Sequence, residues 1–217
     1  MITTEEHILD EYGDFADNYE ETLRGYGYVS DRLAPQMVDE ELTAPKGLIP
    51  QPPWRILDMG CGTGNTAALY FKSPDRYSVV GIDLTPQMIE KARERPYERL
   101  LCQNIESKLQ VDDASFSVVQ FIGCTEFLNH PFETFTEARR KLQQNGLLLV
   151  TSPTKIRDDL EKKYQLRTWR VGELEAHVER SGFTHIRTRK FLAYDLGDVA
   201  VQYECSLWRR TDDAGDS

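Results

Sequence analysis

The run Ile56-Leu57-Asp58-Met59-Gly60-Cys61-Gly62-Thr63-Gly64-Asn65-Thr66 narrows the possible folds of this chain more than any other stretch. Apolar residues that read as a buried strand lead into glycines at 60, 62 and 64. Glycine tolerates positive φ and lets backbone N–H groups approach a ligand that a Cβ would hold away. A strand that ends in such a turn and then enters a helix is the ligand-binding corner of an open α/β sheet. The spacing is not that of a dinucleotide loop, G-x-G-x-x-G, whose third glycine would stand at position 65. Asn65 occupies that position, and Gly64 comes one residue early. Asp58 directly precedes the loop, and a carboxylate suits a cationic amino group better than a pyrophosphate. Taken alone, the motif leaves a tight structural turn as the alternative.

The chain around this loop alternates in the way such a sheet requires. Short apolar runs that read as buried strands are Trp54–Asp58, Tyr77–Ile82, Arg99–Cys102, Phe116–Ile122 and Gly146–Thr151. Helical patterns cover Thr63–Lys72, Pro86–Arg95 and Pro131–Gln143, the last two with proline in the first turn. Strands separated by helices and short loops predict a parallel sheet covered on both faces. Val171–Ser181 reads as a helix closed by Gly182. Thr184–Tyr194 and Val199–Trp208 read as antiparallel neighbours, because Asp195-Leu196-Gly197-Asp198 has hairpin length. Upstream, Thr3–Leu23 and Asp31–Leu42 predict two or three helices around a Gly/Tyr loop, Arg24–Ser30. The stretch 44–53 holds four prolines and a glycine in ten residues and predicts a linker. The expected organisation is a helical lid over 1–43, that linker, a main domain over 54–210 and a disordered tail over 211–217.

At 217 residues, 40 % apolar and 29 % charged, the chain has the material for one globular domain. No apolar run reaches the roughly 18–20 residues of a membrane span, and the acidic start, Met1-Ile2-Thr3-Thr4-Glu5-Glu6, does not read as a secretory signal. A net charge of -10 argues against nucleic acid and anionic lipid as partners. Cys61, Cys102, Cys124 and Cys205 are far apart and show no zinc spacing, so reduced thiols and a cytoplasmic location are expected. Arg139-Arg140-Lys141 beside Glu133 and Glu137 predicts a solvated, charge-paired surface. Arg187, Arg189 and Lys190 can form a small basic face on a strand.

Gly81-Ile82-Asp83-Leu84-Thr85-Pro86 puts an acid at the end of the second strand, where a carboxylate accepts the two hydroxyls of a ribose. Capping of the helix at Pro86 is the other reading of Asp83. After the third strand, Asn104 carries an acceptor and a donor that match an adenine edge.

Together these segments resemble the first motifs of class I S-adenosylmethionine-dependent methyltransferases. The resemblance runs from Ile56–Gly64 through Gly81–Ala92, Asn104, Ser115–Val119 and Gly146–Val150, covering roughly residues 54 to 152. It implies an α/β fold, a Rossmann-like, doubly wound, seven-stranded and mostly parallel sheet with an antiparallel C-terminal strand and an N-terminal helical cap. It also implies S-adenosyl-L-methionine as cofactor. Asp58, Gly60, Cys61 and Gly62 would then line its methionine end, Asp83 would hold the ribose and Leu84 would pack on the adenine. Asn104 and Ile105 would meet the adenine edge, and Ile122 and Gly123 would close the cleft. Two positions depart from the usual pattern. Asn104 stands where aspartate is common, and Ser117 replaces the aspartate of a Phe-Asp pair. Phe15–Glu20, Gly25–Tyr28 and Ala92–Tyr97 are more loosely similar to the Williams-Beuren region 27-like methyltransferases, a group that carries no substrate assignment.

Glu126 and His130, in the loop after the fourth strand, are the candidate general bases. His130 before Pro131 also reads as the start of a helix, and Glu126 as half of a salt bridge. Tyr19, Tyr26 and Tyr28 are candidates for a lid over the acceptor, with packing of the N-terminal segment as the plainer role. Phe121-Ile122-Gly123-Cys124 lacks the Asn/Asp-Pro-Pro-aromatic signature of base-amine and glutamine methylation. Glu126 and Asn129 alone do not form a hard-cation cluster, so no metal is expected. The expected function is methyl transfer to an O, N or S nucleophile of a small molecule. A protein or peptide methyltransferase, a non-catalytic cofactor-binding partner protein and, more remotely, an NAD-dependent oxidoreductase stay open.

Overall fold

The computed structural model describes residues 4–44, 51–164 and 167–211. Positions 45–50 of the expected linker and 212–217 of the expected tail lie outside these residues. Three helices come first, α1 (Glu5–Phe15), α2 (Tyr19–Gly25) and α3 (Ser30–Thr43). The strands are β1 (Trp54–Met59), β2 (Tyr77–Asp83), β3 (Arg99–Cys102), β4 (Phe116–Phe121), β5 (Leu142–Pro153), β6 (Phe183–Asp195) and β7 (Ala200–Arg210). Between them lie α4 (Pro86–Ala92), α5 (Pro131–Lys141), α6 (Asp158–Tyr164) and α7 (Glu173–Arg180). The seven strands form one sheet in the order β3-β2-β1-β4-β5-β7-β6. Strands β1 to β5 are mutually parallel, and β7 runs antiparallel between β5 and β6. The hairpin at Asp195–Asp198 therefore does what its length predicts.

Successive side chains of a strand point to opposite faces, and this divides the interior in two. Leu57, Val80, Val119 and Leu148 meet Phe135 and Ala138 of α5 and Leu174 and Val178 of α7 on one face. Ile56, Val79, Val118 and Leu149 meet Ala34, Met37, Val38 and Leu42 of α3 on the other. Helix α3 is thus core material, although it falls inside the segment expected to be a lid. Helices α1 and α2 contain no fully buried residue.

Residues 63–72 do not form the predicted α-helix. They form two 3-10 turns, Asn65–Ala67 and Tyr70–Lys72. Gly64 is left-handed at φ 86, and distant partners pull on the segment: Asn65 donates to Asp31 (2.6 Å), Thr66 to Asp58 (2.7 Å) and Tyr70 to Gln120 (2.9 Å). Helix α6 lay in a stretch with no clear apolar period and was not foreseen.

The solvated reading of Arg139–Lys141 also fails, at Lys141. Its side chain is only 2 % exposed and its Nζ donates to Leu109 O (3.2 Å), Val111 O (2.6 Å) and Asp113 (2.8 Å). Lys141→Met keeps the stem but strands two buried carbonyls, each worth about 1–3 kcal/mol. A loss of about 3 kcal/mol, or roughly 6–12 °C in Tm, is expected from thermal melts. An unchanged Tm would return Lys141 to the surface. Nor is there a free basic face on β6. Arg187 and Arg189 pair with Glu40 of α3, and Lys190 pairs with Glu204. Cys61, Cys124 and Cys205 are buried, Cys102 is exposed, and all four are free thiols.

Candidate active site

The order of the strands reverses between β1 and β4, and the ends of these strands and of β2 converge there. A cleft opens at that point, where an open α/β sheet binds its ligand. Gly60 and Gly62 form its floor with φ of 68° and 53°. A Cβ at Gly60 would meet Cys124 Cβ at 2.7 Å, so glycine is required by packing there. At Gly62 a Cβ would meet only Tyr19 at 3.9 Å, so the space above this glycine is open. The loop N–H groups are already engaged: Gly60 and Cys61 donate to Ile82 O, Gly64 to Cys61 O and Gly62 to Asp83 Oδ2 (2.8 Å). With these donors occupied and no α-helix behind them, the loop lacks the N–H array and the helix dipole that hold a pyrophosphate.

Asp83 closes β2, its Oδ1 accepting from Thr85 N at 2.9 Å. Each carboxylate oxygen retains further acceptor capacity toward the cleft. Burial raises its pKa above the ordinary carboxylate value, and the Thr85 and Gly62 N–H groups oppose that shift. Leu84, Met88 and Ile105 make an apolar slot beside it, covered by Ile8 of α1. Asn104 is at the mouth, where its Nδ2 donates to Glu5 and its Oδ1 accepts from Glu106 N (2.7 Å).

A second cleft adjoins the first and shares Tyr12, Tyr19 and Gly123 with it. Its other walls include Phe15, Tyr26, Tyr28, Tyr194 and Tyr203. The rings meet edge to face, Phe15–Tyr19 at 5.5 Å, Tyr12–Tyr19 at 6.2 Å and Tyr194–Tyr203 at 5.9 Å. Glu126 is 6 % exposed in this wall. Its Oε1 accepts from Tyr203 Oη at 2.8 Å, whereas its Oε2 is buried without a hydrogen-bond partner among the described residues. Burial pushes its carboxyl above the ordinary range.

The structure therefore brings Gly60, Gly62, Asp83, Leu84, Asn104, Ile105 and Gly123 to one cleft, and Tyr19, Tyr26, Tyr28 and Glu126 to the other, with Tyr19 and Gly123 common to both. It leaves four candidates out. Asp58 is fully buried and engaged by Gln120 (2.8 Å), Thr66 (2.7 Å) and Tyr97 (3.0 Å), so it braces the loop from beneath. Cys61 lies under the loop against Gly81, and Ile122 packs with the α3 side of the core. His130 lines neither cleft. Its backbone N–H donates to Glu106 (2.6 Å) and it stands at the start of α5. The sequence reading missed Tyr12, Tyr194 and Tyr203. The spacing Glu5, Ile8, Tyr12 marks one face of α1 and was the available signal for the first of them.

Residues 57–150 match the family described as a methyltransferase domain. The chain is similar to malonyl-[acyl-carrier protein] O-methyltransferase of Paenibacillus sp. (strain JDR-2), 30 % identical over 105 residues, 45 % of this chain and 38 % of that protein. It is also similar to trans-aconitate 2-methyltransferase of Methylobacterium nodulans, 25 % identical over 166 residues, 73 % of this chain and 61 % of that protein. The chain thus spans less than two thirds of the length of either relative. Its fold is shared with Burkholderia thailandensis 1,6-didemethyltoxoflavin-N1-methyltransferase, whose structure holds 1,6-didemethyltoxoflavin and S-adenosylhomocysteine. The TM-score is 0.68 at 16 % identity, over 98 % of this chain and 92 % of that one.

Proposed function

We propose that this chain, a member of the class I S-adenosylmethionine-dependent methyltransferase superfamily, methylates a small-molecule acceptor held in the aromatic cleft beside its cofactor cleft. The observation that carries this reading is the pair of adjoining clefts, one with a ribose-type acid over an open glycine floor, the other with a buried carboxylate. The first cleft fits S-adenosylmethionine. The bare face of Gly62, the acceptor capacity of Asp83 and the slot of Leu84, Met88 and Ile105 suit a ligand with an open chain, a ribose and a flat base. The engaged loop N–H groups disfavour a nicotinamide dinucleotide.

When bound, the cofactor supplies a methyl group already activated on a sulfonium. What remains for the chain is alignment of the acceptor, exclusion of water and removal of a proton. We assign removal of that proton to Glu126, buried in the wall of the acceptor cleft, a task worth about 10²–10⁴ in rate. Asp58 serves as a positioning residue that holds the glycine loop in shape. A walled cleft admits a small molecule more readily than a peptide segment. The charge of -10 also disfavours docking of an acidic carrier protein.

Calorimetric titration with S-adenosylmethionine, S-adenosylhomocysteine and NAD tests the reading. Binding of the first two without the third is expected; binding of NAD alone overturns it. Gly62→Val puts a branched side chain into the open space and strains a residue at φ 53. Affinity for S-adenosylhomocysteine should fall at least about tenfold, more than 1.4 kcal/mol, in a protein that still melts cooperatively. Normal binding would move the cofactor away from this loop.

A further inference from the structure

Resting on the proposed methyltransferase reading, we infer that the acceptor is a cationic amine, recognised by Glu126 inside the tyrosine-walled cleft and methylated on nitrogen. Four observations carry it. Glu126 is buried to 6 % exposure and its Oε2 has no partner among the described residues, although Oε1 is bonded to Tyr203. A buried carboxylate oxygen without a donor is unfavourable unless a ligand supplies one. The described residues lining the cleft include Glu11 and Glu126 and no lysine, arginine or histidine. An anionic acceptor would therefore meet only negative side chains, which sets this cleft apart from one built for a carboxylate. Finally, the walls are rings from five parts of the chain: Tyr12 and Phe15 from α1, Tyr19 from α2, Tyr28 from the loop before α3, Tyr194 from β6 and Tyr203 from β7. Their planes are inclined to one another over a range of angles, from 44° for Tyr28–Tyr194 to 84° for Phe15–Tyr19 and 86° for Tyr28–Tyr203. Such walls offer ring faces in several directions, and ring faces attract cations.

The chemistry balances. The incoming ammonium gives one proton to Glu126 Oε2. The freed nitrogen lone pair forms the N–C bond to the methyl of S-adenosylmethionine while the C–S bond breaks, its electron pair staying on sulfur as a neutral thioether. The positive charge moves to the methylated nitrogen, and Glu126 releases its proton to water.

The test begins with calorimetry of the full chain with S-adenosylhomocysteine. Failure at that step overturns the methyltransferase reading itself. The loaded protein is then titrated with benzylamine, phenethylamine and n-butylamine, and with the alcohol and carboxylate of matching shape for each. At least one amine should bind at least tenfold more tightly than its alcohol and its carboxylate. Glu126→Gln, isosteric and verified by its melt, should erase that preference, and Tyr203→Phe should keep it because Oε2 is untouched. Tyr194→Leu, at the half-buried rim, should weaken amine binding several-fold and leave alcohol binding in place. If S-adenosylhomocysteine binds and no amine does, or if a carboxylate binds as well as its amine, the inference falls and the methyltransferase reading stands. Persistence of the amine preference in Glu126→Gln, or an unchanged amine affinity in Tyr194→Leu, overturns it equally.

Discussion

Asp83→Ala should weaken S-adenosylhomocysteine binding by about 10²–10⁴. The carboxylate can accept from both ribose hydroxyls, and a hydrogen bond to a charged group is worth about 1.5–3 kcal/mol. Two of them give about 3–6 kcal/mol, at 1.4 kcal/mol per decade of affinity. Asp83 also fixes the floor beneath the ligand, because its oxygens hold Gly62 N at 2.8 Å and Thr85 N at 2.9 Å. Asp83→Asn keeps one accepting oxygen and should fall between wild type and alanine. Calorimetry on the three proteins separates them, and equal affinities would reduce Asp83 to a brace between the loop and α4. Acidification should act in the same direction. Burial raises the pKa of Asp83, so its proton returns at a higher pH than for an exposed aspartate. Cofactor affinity should accordingly decline as pH falls through that raised value, and the Ala variant should lack this decline.

The sheet was legible because each of its strands announces itself. Trp54–Met59 and Phe116–Phe121 are almost wholly buried, and strands covered on both faces read as largely apolar runs. The glycine-lined cleft was legible for a related reason: glycines at positive φ and an acid at a strand end are constraints on single residues. What escaped was set by contacts far apart in sequence. Asp58 precedes the loop and reads as a ligand group, yet Gln120 and Tyr97, from β4 and the segment before β3, meet it first. Residues 63–72 lose their helix to tethers from Asp31, Asp58 and Gln120. The aromatic cleft was half visible, since Tyr19, Tyr26 and Tyr28 stand close together in the chain. Tyr194 and Tyr203 belong to an unremarkable hairpin, and only the antiparallel insertion of β7 turns them toward Glu126. Helix α3 is the counterpart case, with a proline stretch after it that looks like a boundary and an apolar face that belongs to the core.

That division determines what truncation should do. Removing residues 1–28 should leave a protein that melts cooperatively, binds S-adenosylhomocysteine at least about tenfold more weakly and has lost methyl transfer. Removing residues 1–43 should abolish folding. The shorter truncation takes away α1, α2 and the Gly/Tyr loop, which meet the body through polar links near the surface and through ring contacts of Tyr12 with Phe127 and of Tyr28 with Tyr194 and Tyr203. Asp17 pairs with Lys91 (2.8 Å), Glu20 with Arg95 (2.6 Å) and Thr63 (2.7 Å), Glu5 accepts from Asn104, and Asp195 N donates to Tyr26 O (3.0 Å). Exposed ion pairs contribute about 0–1 kcal/mol each, so a segment held this way can open and reclose without unfolding the sheet. It nonetheless carries Ile8 over the cofactor cleft and Tyr12, Phe15, Tyr19, Tyr26 and Tyr28 around the acceptor cleft. Without it, Glu126 faces water, and a methyl donor needs water excluded. The longer truncation also removes Ala34, Met37, Val38 and Leu42 from the core, at about 2–5 kcal/mol for each large side chain lost, a total comparable to the whole of the roughly 5–15 kcal/mol a domain has in hand. Far-UV circular dichroism and melting curves report the folding, calorimetry the binding, and S-adenosylhomocysteine release with an acceptor that the full chain methylates reports the transfer. Full transfer by the 29–217 protein would show that α1 and α2 are dispensable. A cooperative melt from the 44–217 protein would put α3 in the lid after all.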